Sequence, residues 1–289
     1  MTSRSLFLCL PLALAAQTSE DATAIMTKMA ANFERSLEAR RQFVYEQKVR
    51  SSLVRTNGEV SRVERRQYLV TPGPAETEKK LTSFQGLYRQ GGTMHPYDKP
   101  GFQYKGTDLD GGLLSGLTDD LVNAKNTRDG IPRNLFPLRA GELQHYRFSW
   151  KGEATVNGRR AYEIAFEPVR KGACSLVDDE EECGTRAWRG VAVVDVEELQ
   201  PVRVYTEQAA SVPWGIRFFL GTNMRQSGFS LSFVRVAENV WFPAVYGTEF
   251  RFNALWGYKR TVTLSLESSG FHKTDVNSSV QYNTAGVTP

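Results

Sequence analysis

A helical repeat near the N-terminus gives way at Phe43 to a two-residue alternation that persists, with short breaks, to Leu266. Ile25, Met26, Met29, Phe33 and Leu37 recur every three or four residues, the spacing of one apolar stripe on an α-helix. Ser19 is placed to cap that helix, with Glu20 and Asp21 near the positive end of its dipole and Arg35, Arg40 and Arg41 toward the negative end. Beyond it, Phe43, Tyr45 and Val49 alternate with Val44, Glu46, Lys48 and Arg50, which is a half-buried strand. A single helix ahead of many strands excludes βαβ architecture. The expected class is mainly β, an antiparallel meander to which the helix adds one layer.

The strands can be placed by their turns. Asn57-Gly58 predicts a type I′ hairpin into Val60–Val70, which Pro72-Gly73-Pro74 ends. Further strands are expected at Lys80–Tyr88 and Phe102–Lys105. Leu113, Leu114, Leu117, Leu121 and Val122 return to helical spacing before Gly130-Ile131-Pro132. Tyr146–Val156 and Arg160–Phe166 flank a second hairpin signal, Asn157-Gly158, with Tyr162, Ile164 and Phe166 on one side and Glu163 and Glu167 on the other. Ala187–Val196, Val202–Ala209, Gly228–Val236, Val240–Leu255 and Lys259–Leu266 complete the series. No internal repeat or low-complexity linker divides it, so residues 17–289 are read as one domain.

Ahead of the helix, Arg4 precedes an apolar run from Leu6 to Leu14 and the small-residue pattern Ala13-Leu14-Ala15-Ala16. This is the grammar of a cleaved export signal over Met1–Ala16, and the run is too short to span a bilayer. The expected location is the periplasm. Cys9 leaves with the signal, and Cys174 and Cys183 remain as an even pair in an oxidising compartment, read as a disulfide around the acidic loop Asp178–Glu182. That loop lacks the alternating ligands and glycine of a calcium site, so no metal is expected.

The formal net charge of +4 on 289 residues is too small to indicate nucleic acid as a partner. Arg40-Arg41, Arg65-Arg66 and Arg159-Arg160 are read as solvated faces in preference to contacts with anionic lipid headgroups. Only His95, His145 and His272 could act as neutral-pH bases, and none sits in a catalytic or metal-binding motif. Gly228-Phe229-Ser230-Leu231-Ser232 lacks the second glycine of a nucleophile elbow. Asp108, Asp110, Asp119 and Asp120 could supply the carboxylate pair of a secreted hydrolase, against the plainer reading as turn and cap residues. The expectation is a protein that is not an enzyme and carries no cofactor.

The positive signal is aromatic. Along Val240–Tyr258 the even positions Phe242, Tyr246, Phe250, Phe252, Trp256 and Tyr258 are expected to share one side, opposite Glu249, Arg251 and Asn253. They either close a core or line a ligand cavity, since a curved sheet encloses more apolar wall than one helix fills. Val212, Trp214, Phe218, Phe219 and Leu220 add an apolar stretch within Ser211–Gly221, read as a buried crossover or a loop touching a membrane or partner. A membrane β-barrel is disfavoured by the leading helix and by the ending Val287-Thr288-Pro289.

Tyr146-Arg147-Phe148 through Val156-Asn157-Gly158-Arg159, Ala161-Tyr162-Glu163-Ile164, Arg189–Asp195 followed by Pro201-Val202-Arg203, and Phe233 with Val240-Trp241-Phe242-Pro243 stand in an informative order. In that succession the chain resembles the outer-membrane lipoprotein-sorting family: the periplasmic lipoprotein carrier, its outer-membrane acceptor, and relatives such as sigma-factor regulators. The resemblance implies an incomplete antiparallel β-barrel, a curved half-barrel, holding a hydrophobic cavity. Ala22–Arg40 and Leu113–Val122 would serve as its lid. It also implies an acyl chain, a lipoprotein or another apolar ligand, with a membrane or envelope protein as peripheral partner. A stress sensor of the same fold is the alternative to a carrier. The cavity-lining candidates are then Phe33, Leu117, Tyr162, Ile164, Phe166, Phe242, Tyr246, Phe250, Phe252 and Trp256.

Overall fold

The computed structural model describes residues 19–73, 77–122, 129–131, 136–169, 188–208, 222–254 and 257–274. The signal segment Met1–Ala16, the Cys174–Cys183 pair, the Ser211–Gly221 stretch and Trp256 lie outside the described residues. Helix α1 (Ser19–Arg40) is followed by strands β1 (Phe43–Arg55), β2 (Val60–Pro72), β3 (Thr77–Gln90) and β4 (Thr93–Tyr97), then helix α2 (Leu109–Val122). A 3-10 helix (Ala140–His145) leads into β5 (Tyr146–Val156) and β6 (Arg159–Pro168). The series ends with β7 (Trp188–Asp195), β8 (Pro201–Gln208), β9 (Thr222–Ala237), β10 (Val240–Ala254) and β11 (Lys259–Lys273).

Among the described residues, eleven strands form one antiparallel sheet in the order β4-β3-β2-β1-β11-β10-β9-β8-β7-β6-β5. The chain builds outward from β1 to one edge, crosses by way of α2 to the other edge, and meanders back until β11 pairs with β1. Thr274 N donates to Gln42 O at 2.7 Å where the two ends meet. A twisted sheet of this width must curl, and with β4 and β5 unpaired to each other it stays an open half-barrel. Helix α1 lies against β5, β10 and the 3-10 helix; α2 lies against β1 and β2. No helix among the described residues is long and apolar enough to cross a membrane.

Local chemistry explains where expectation and structure differ. Helix α1 begins at Ser19. At Asn57-Gly58 only Gly58 has positive φ (+83°), and Gly58 N donates back to Arg55 O at 3.0 Å. The turn is therefore an ordinary one followed by a glycine bulge, with the Asn57 side chain accepting from Glu59 N at 3.1 Å, and is not type I′. Asn157-Gly158, with φ of +51° and +79°, does have the type I′ signature. Phe102–Lys105 is not a strand. Its alternating aromatics arise because Phe102 stacks on Tyr97 and Tyr104 on Tyr88, at centroid distances of 5.0 and 5.1 Å. The unforeseen edge strand is β4, which tolerates Pro96 because an edge strand can do without one donor.

Candidate ligand-binding face

The concave side of the half-barrel has two halves of different chemistry. Under α1 it is apolar. Ala22, Met26, Met29 and Phe33 are buried in one stripe, and the Phe33 ring sits 4.2 Å from Phe136 and 6.0 Å from Phe233. Ile164 and Phe166 of β6 are fully buried in the same cluster. Tyr162 is half-buried against Trp150 at 5.2 Å. On β10, Phe242 is fully buried among Phe43, Tyr45 and Phe271, and Tyr246 packs on Phe229 at 5.7 Å.

The pairing of β10 with β9 shifts register three times, at Val240/Trp241, Pro243/Val245 and Thr248/Phe250. Against β11 the register runs unbroken, so Tyr246, Thr248, Phe250 and Phe252 face the same way as Leu266, Leu264, Val262 and Arg260. Phe250 and Phe252 are only half-buried, as is Leu117 on α2. Phe252 meets Tyr258 edge-on at 5.7 Å. The candidates thus divide into a packed floor and a partly open apolar rim.

Under α2 the concave side is charged. Alternation along β2 turns Arg62, Glu64, Arg66 and Tyr68 inward, all buried. Arg62 pairs with Asp108, whose other oxygen accepts from Gly111 N at 3.0 Å, so one carboxylate caps α2 and binds the sheet. Gly111 is required here: a Cβ would stand 2.7 Å from Asp108 Oδ2 and 2.9 Å from Arg62 Cζ. Arg66 bridges Glu64 and Asp119, and Tyr97 OH donates to Glu64 at 2.8 Å. Asp110 accepts from Ser61, from Tyr258 OH at 2.7 Å and from Arg260 Nε at 2.8 Å. Burial alone would raise the Asp110 carboxyl, but those three donors outweigh it and hold it below the usual range.

Three of the acids considered for hydrolysis are therefore the clasp of α2. Among the described residues no group of three or more His, Cys, Asp or Glu is arranged to hold a metal ion.

The three dibasic pairs are not simply solvated faces. Each splits. Arg40 is buried on Asp129 at 2.8 Å while Arg41 reaches Glu38; Arg66 is buried while Arg65 is exposed; Arg159 holds Asp195 at 2.7 Å while Arg160 is exposed. The physical reason is phase: adjacent residues on a strand face opposite sides, and on a helix they lie 100° apart. A separate cleft of about 370 Å³ lies beside α1, with Asn32, Ser36, Ala39, Gln200 and Asn239 in its wall; none of the aromatic candidates lines it.

Lys79 closes the C-terminal end of α2, donating to Val122 O at 2.9 Å and Gln47 Oε1 at 3.2 Å. Burial lowers its pKa to about 8, with Asp129 opposing. Below pH 8 folded and unfolded chains both hold this proton and the burial cost is present in full. Between pH 8 and 10 the folded chain has released it first, so stability should rise with pH, by at most about 1.4 kcal/mol per unit. Above pH 10 the buried phenols of Tyr45 and Tyr97, pushed up by desolvation and by Asp129 and Glu64 respectively, reverse the slope. Urea midpoints measured at pH 7.5, 8.5 and 9.5 should increase, and Lys79→Met should flatten the increase.

No family model matches the chain, and none of the curated proteins matches it. Among solved structures it is similar to a DUF1329 family protein from Desulfovibrio piger, at 12% identity over 89% of this chain and 94% of that one, with a TM-score of 0.36. It is also similar to an outer membrane lipoprotein-sorting protein domain from Vibrio parahaemolyticus, at 12% identity over 92% and 96%, with a TM-score of 0.32. MucB in its complex with MucA from Pseudomonas aeruginosa aligns at 14% identity over 88% and 99%, with a TM-score of 0.24.

Proposed function

We propose that the chain is an exported, periplasmic binding or carrier protein that takes an apolar ligand, an acyl chain alone or on a lipoprotein, onto the concave face of its half-barrel. The observation that carries this reading is the way α2 covers that face. It holds Gly111, Gly112 and Gly116 within fourteen residues, an intrinsically weak helix, and fastens to the sheet through a short apolar seam of Leu114, Leu121 and Val122 together with the ion pairs of Asp108, Asp110 and Asp119. An ion pair that opens with both partners reaching water is re-solvated on each side, so these links hold α2 without locking it. Phe250, Phe252 and Leu117, half-buried, supply an apolar rim for a chain entering there.

The test is direct. Protein isolated from its native envelope should carry co-purifying lipid by mass spectrometry, and a fluorescent fatty acyl probe should bind delipidated protein saturably near one per chain. Gly112 and Gly116 face open space, so Gly112→Ala with Gly116→Ala should stiffen α2 by about 0.5–1 kcal/mol each and slow probe entry. No co-purified lipid together with non-saturable probe uptake would remove the reading.

A further inference from the structure

The charged half of the concave face has no structural need to be charged. Well-packed apolar residues in place of a buried ion pair commonly leave stability unchanged or improve it. On the sheet side stand three guanidinium groups, Arg62, Arg66 and Arg260, and one carboxylate, Glu64. The α2 segment answers with three carboxylates, Asp108, Asp110 and Asp119. Closed, the layer is nearly neutral; with α2 lifted, the sheet is left with a cationic surface.

Arg62 is the most prepared of these cations. Its guanidinium lies 5.8 Å from the Tyr88 ring centroid and 5.2 Å from that of Tyr97, which fix its plane. It meets Asp108 through one terminal nitrogen, Nη2, while Nη1 donates to Phe102 O at 3.1 Å. Its Nε is buried and has no hydrogen-bond partner, and neither has Ser51 Oγ, on the residue paired with Glu64. A guanidinium binds a carboxylate or phosphate best through two parallel N–H donors, and Asp108, which also caps α2, engages only one.

We infer that the inward face of β2 is an anion-binding site, held in this structure by Asp108 and Asp119, and that a phosphate or carboxylate headgroup displaces them. The inference rests on the apolar-ligand reading and narrows it: the ligand is an anionic amphiphile. Its chain takes the apolar half and its headgroup takes Arg62 and Arg66. Asp119, with 43% of its side chain exposed, is the first carboxylate to yield.

The experiment titrates the full mature chain with lysophosphatidylglycerol, with a monoacylglycerol of the same chain length, and with inorganic phosphate alone. The anionic amphiphile should bind about tenfold more tightly than the neutral one, with the difference shrinking as salt rises. Asp119→Asn should tighten the anionic amphiphile severalfold more than the neutral one, because it removes a competing carboxylate as well as one link of α2. Arg66→Gln, with folding checked by circular dichroism, should weaken the anionic one more than the neutral one. Equal affinities, or an Asp119→Asn effect of equal size on both amphiphiles, would mean that the ion pairs merely latch α2. The anion site would then be lost while the apolar-ligand reading stood. Inorganic phosphate competing as well as the amphiphile would overturn the headgroup assignment. If neither amphiphile binds, both readings fall together.

Discussion

Replacing Arg40 with methionine should destabilise the fold by about 3–5 kcal/mol, because it strands a carboxylate that cannot reach water. The Arg40 and Asp129 side chains are 1% and 4% exposed and joined at 2.8 Å. Arg40 also donates to Trp241 O at 3.2 Å and lies over the Phe33 ring at 4.7 Å, tying the end of α1 to β10 and to the aromatic cluster. Tyr45 OH donates to Asp129 O at 2.9 Å, so the pair sits where α1, β1 and the 129–131 segment meet. Asp129→Asn should cost a similar amount, because it leaves the buried Arg40 guanidinium without its counter-charge even though the amide oxygen can still accept from it. The double substitution Arg40→Met with Asp129→Asn should recover most of the loss, leaving a coupling energy of roughly 2–3 kcal/mol in a double-mutant cycle of urea unfolding. Strictly additive losses would show that the two side chains do not depend on each other.

The burial of Arg40 was in fact legible. Ala22, Met26, Met29, Phe33, Ser36 and Arg40 fall at alternating steps of four and three, so Arg40 is in phase with the apolar stripe of α1. The arginine reads as a partner for the helix dipole only if its phase is ignored. The same argument applies to β2: Arg62, Glu64 and Arg66 share parity with Tyr68 and Val70, which are core residues. What alternation could not supply was the partner. A strand with charges on its inner face is improbable until α2 is seen to bring Asp108 and Asp119 onto it, and that contact spans some fifty residues of chain.

Long, regular elements were readable for the opposite reason. The strands from Tyr146 onward pair with their neighbours in sequence, and their boundaries agree with expectation to within a few residues except at the longer β9 and β11. The pairing of β1 with β11 carries no local signal, since those strands are joined by more than two hundred residues, yet it turns two meanders into one sheet.

The division of the aromatic candidates into floor and rim yields the other large effect. Phe242 is fully buried, with Phe271, Tyr45 and Phe43 at centroid distances of 4.5, 5.5 and 5.6 Å. Phe242→Ala should therefore cost about 3–5 kcal/mol, the lost transfer energy plus a void that the three paired strands around it cannot collapse into. Phe250 faces inward opposite Val262 but is only half-buried, so Phe250→Ala should cost about 1–2 kcal/mol, mainly transfer energy with little void. Function should invert that order. A ligand chain lying along the rim covers the exposed half of Phe250, so Phe250→Ala should weaken an acyl probe several-fold, whereas Phe242→Ala should reduce the folded fraction without changing the affinity of what remains folded. Urea unfolding and probe titration on the same two variants separate the outcomes. A full core penalty at Phe250 with unchanged probe affinity would mean that the rim is simply the edge of a packed core, and that the ligand, if one binds, enters elsewhere on the half-barrel.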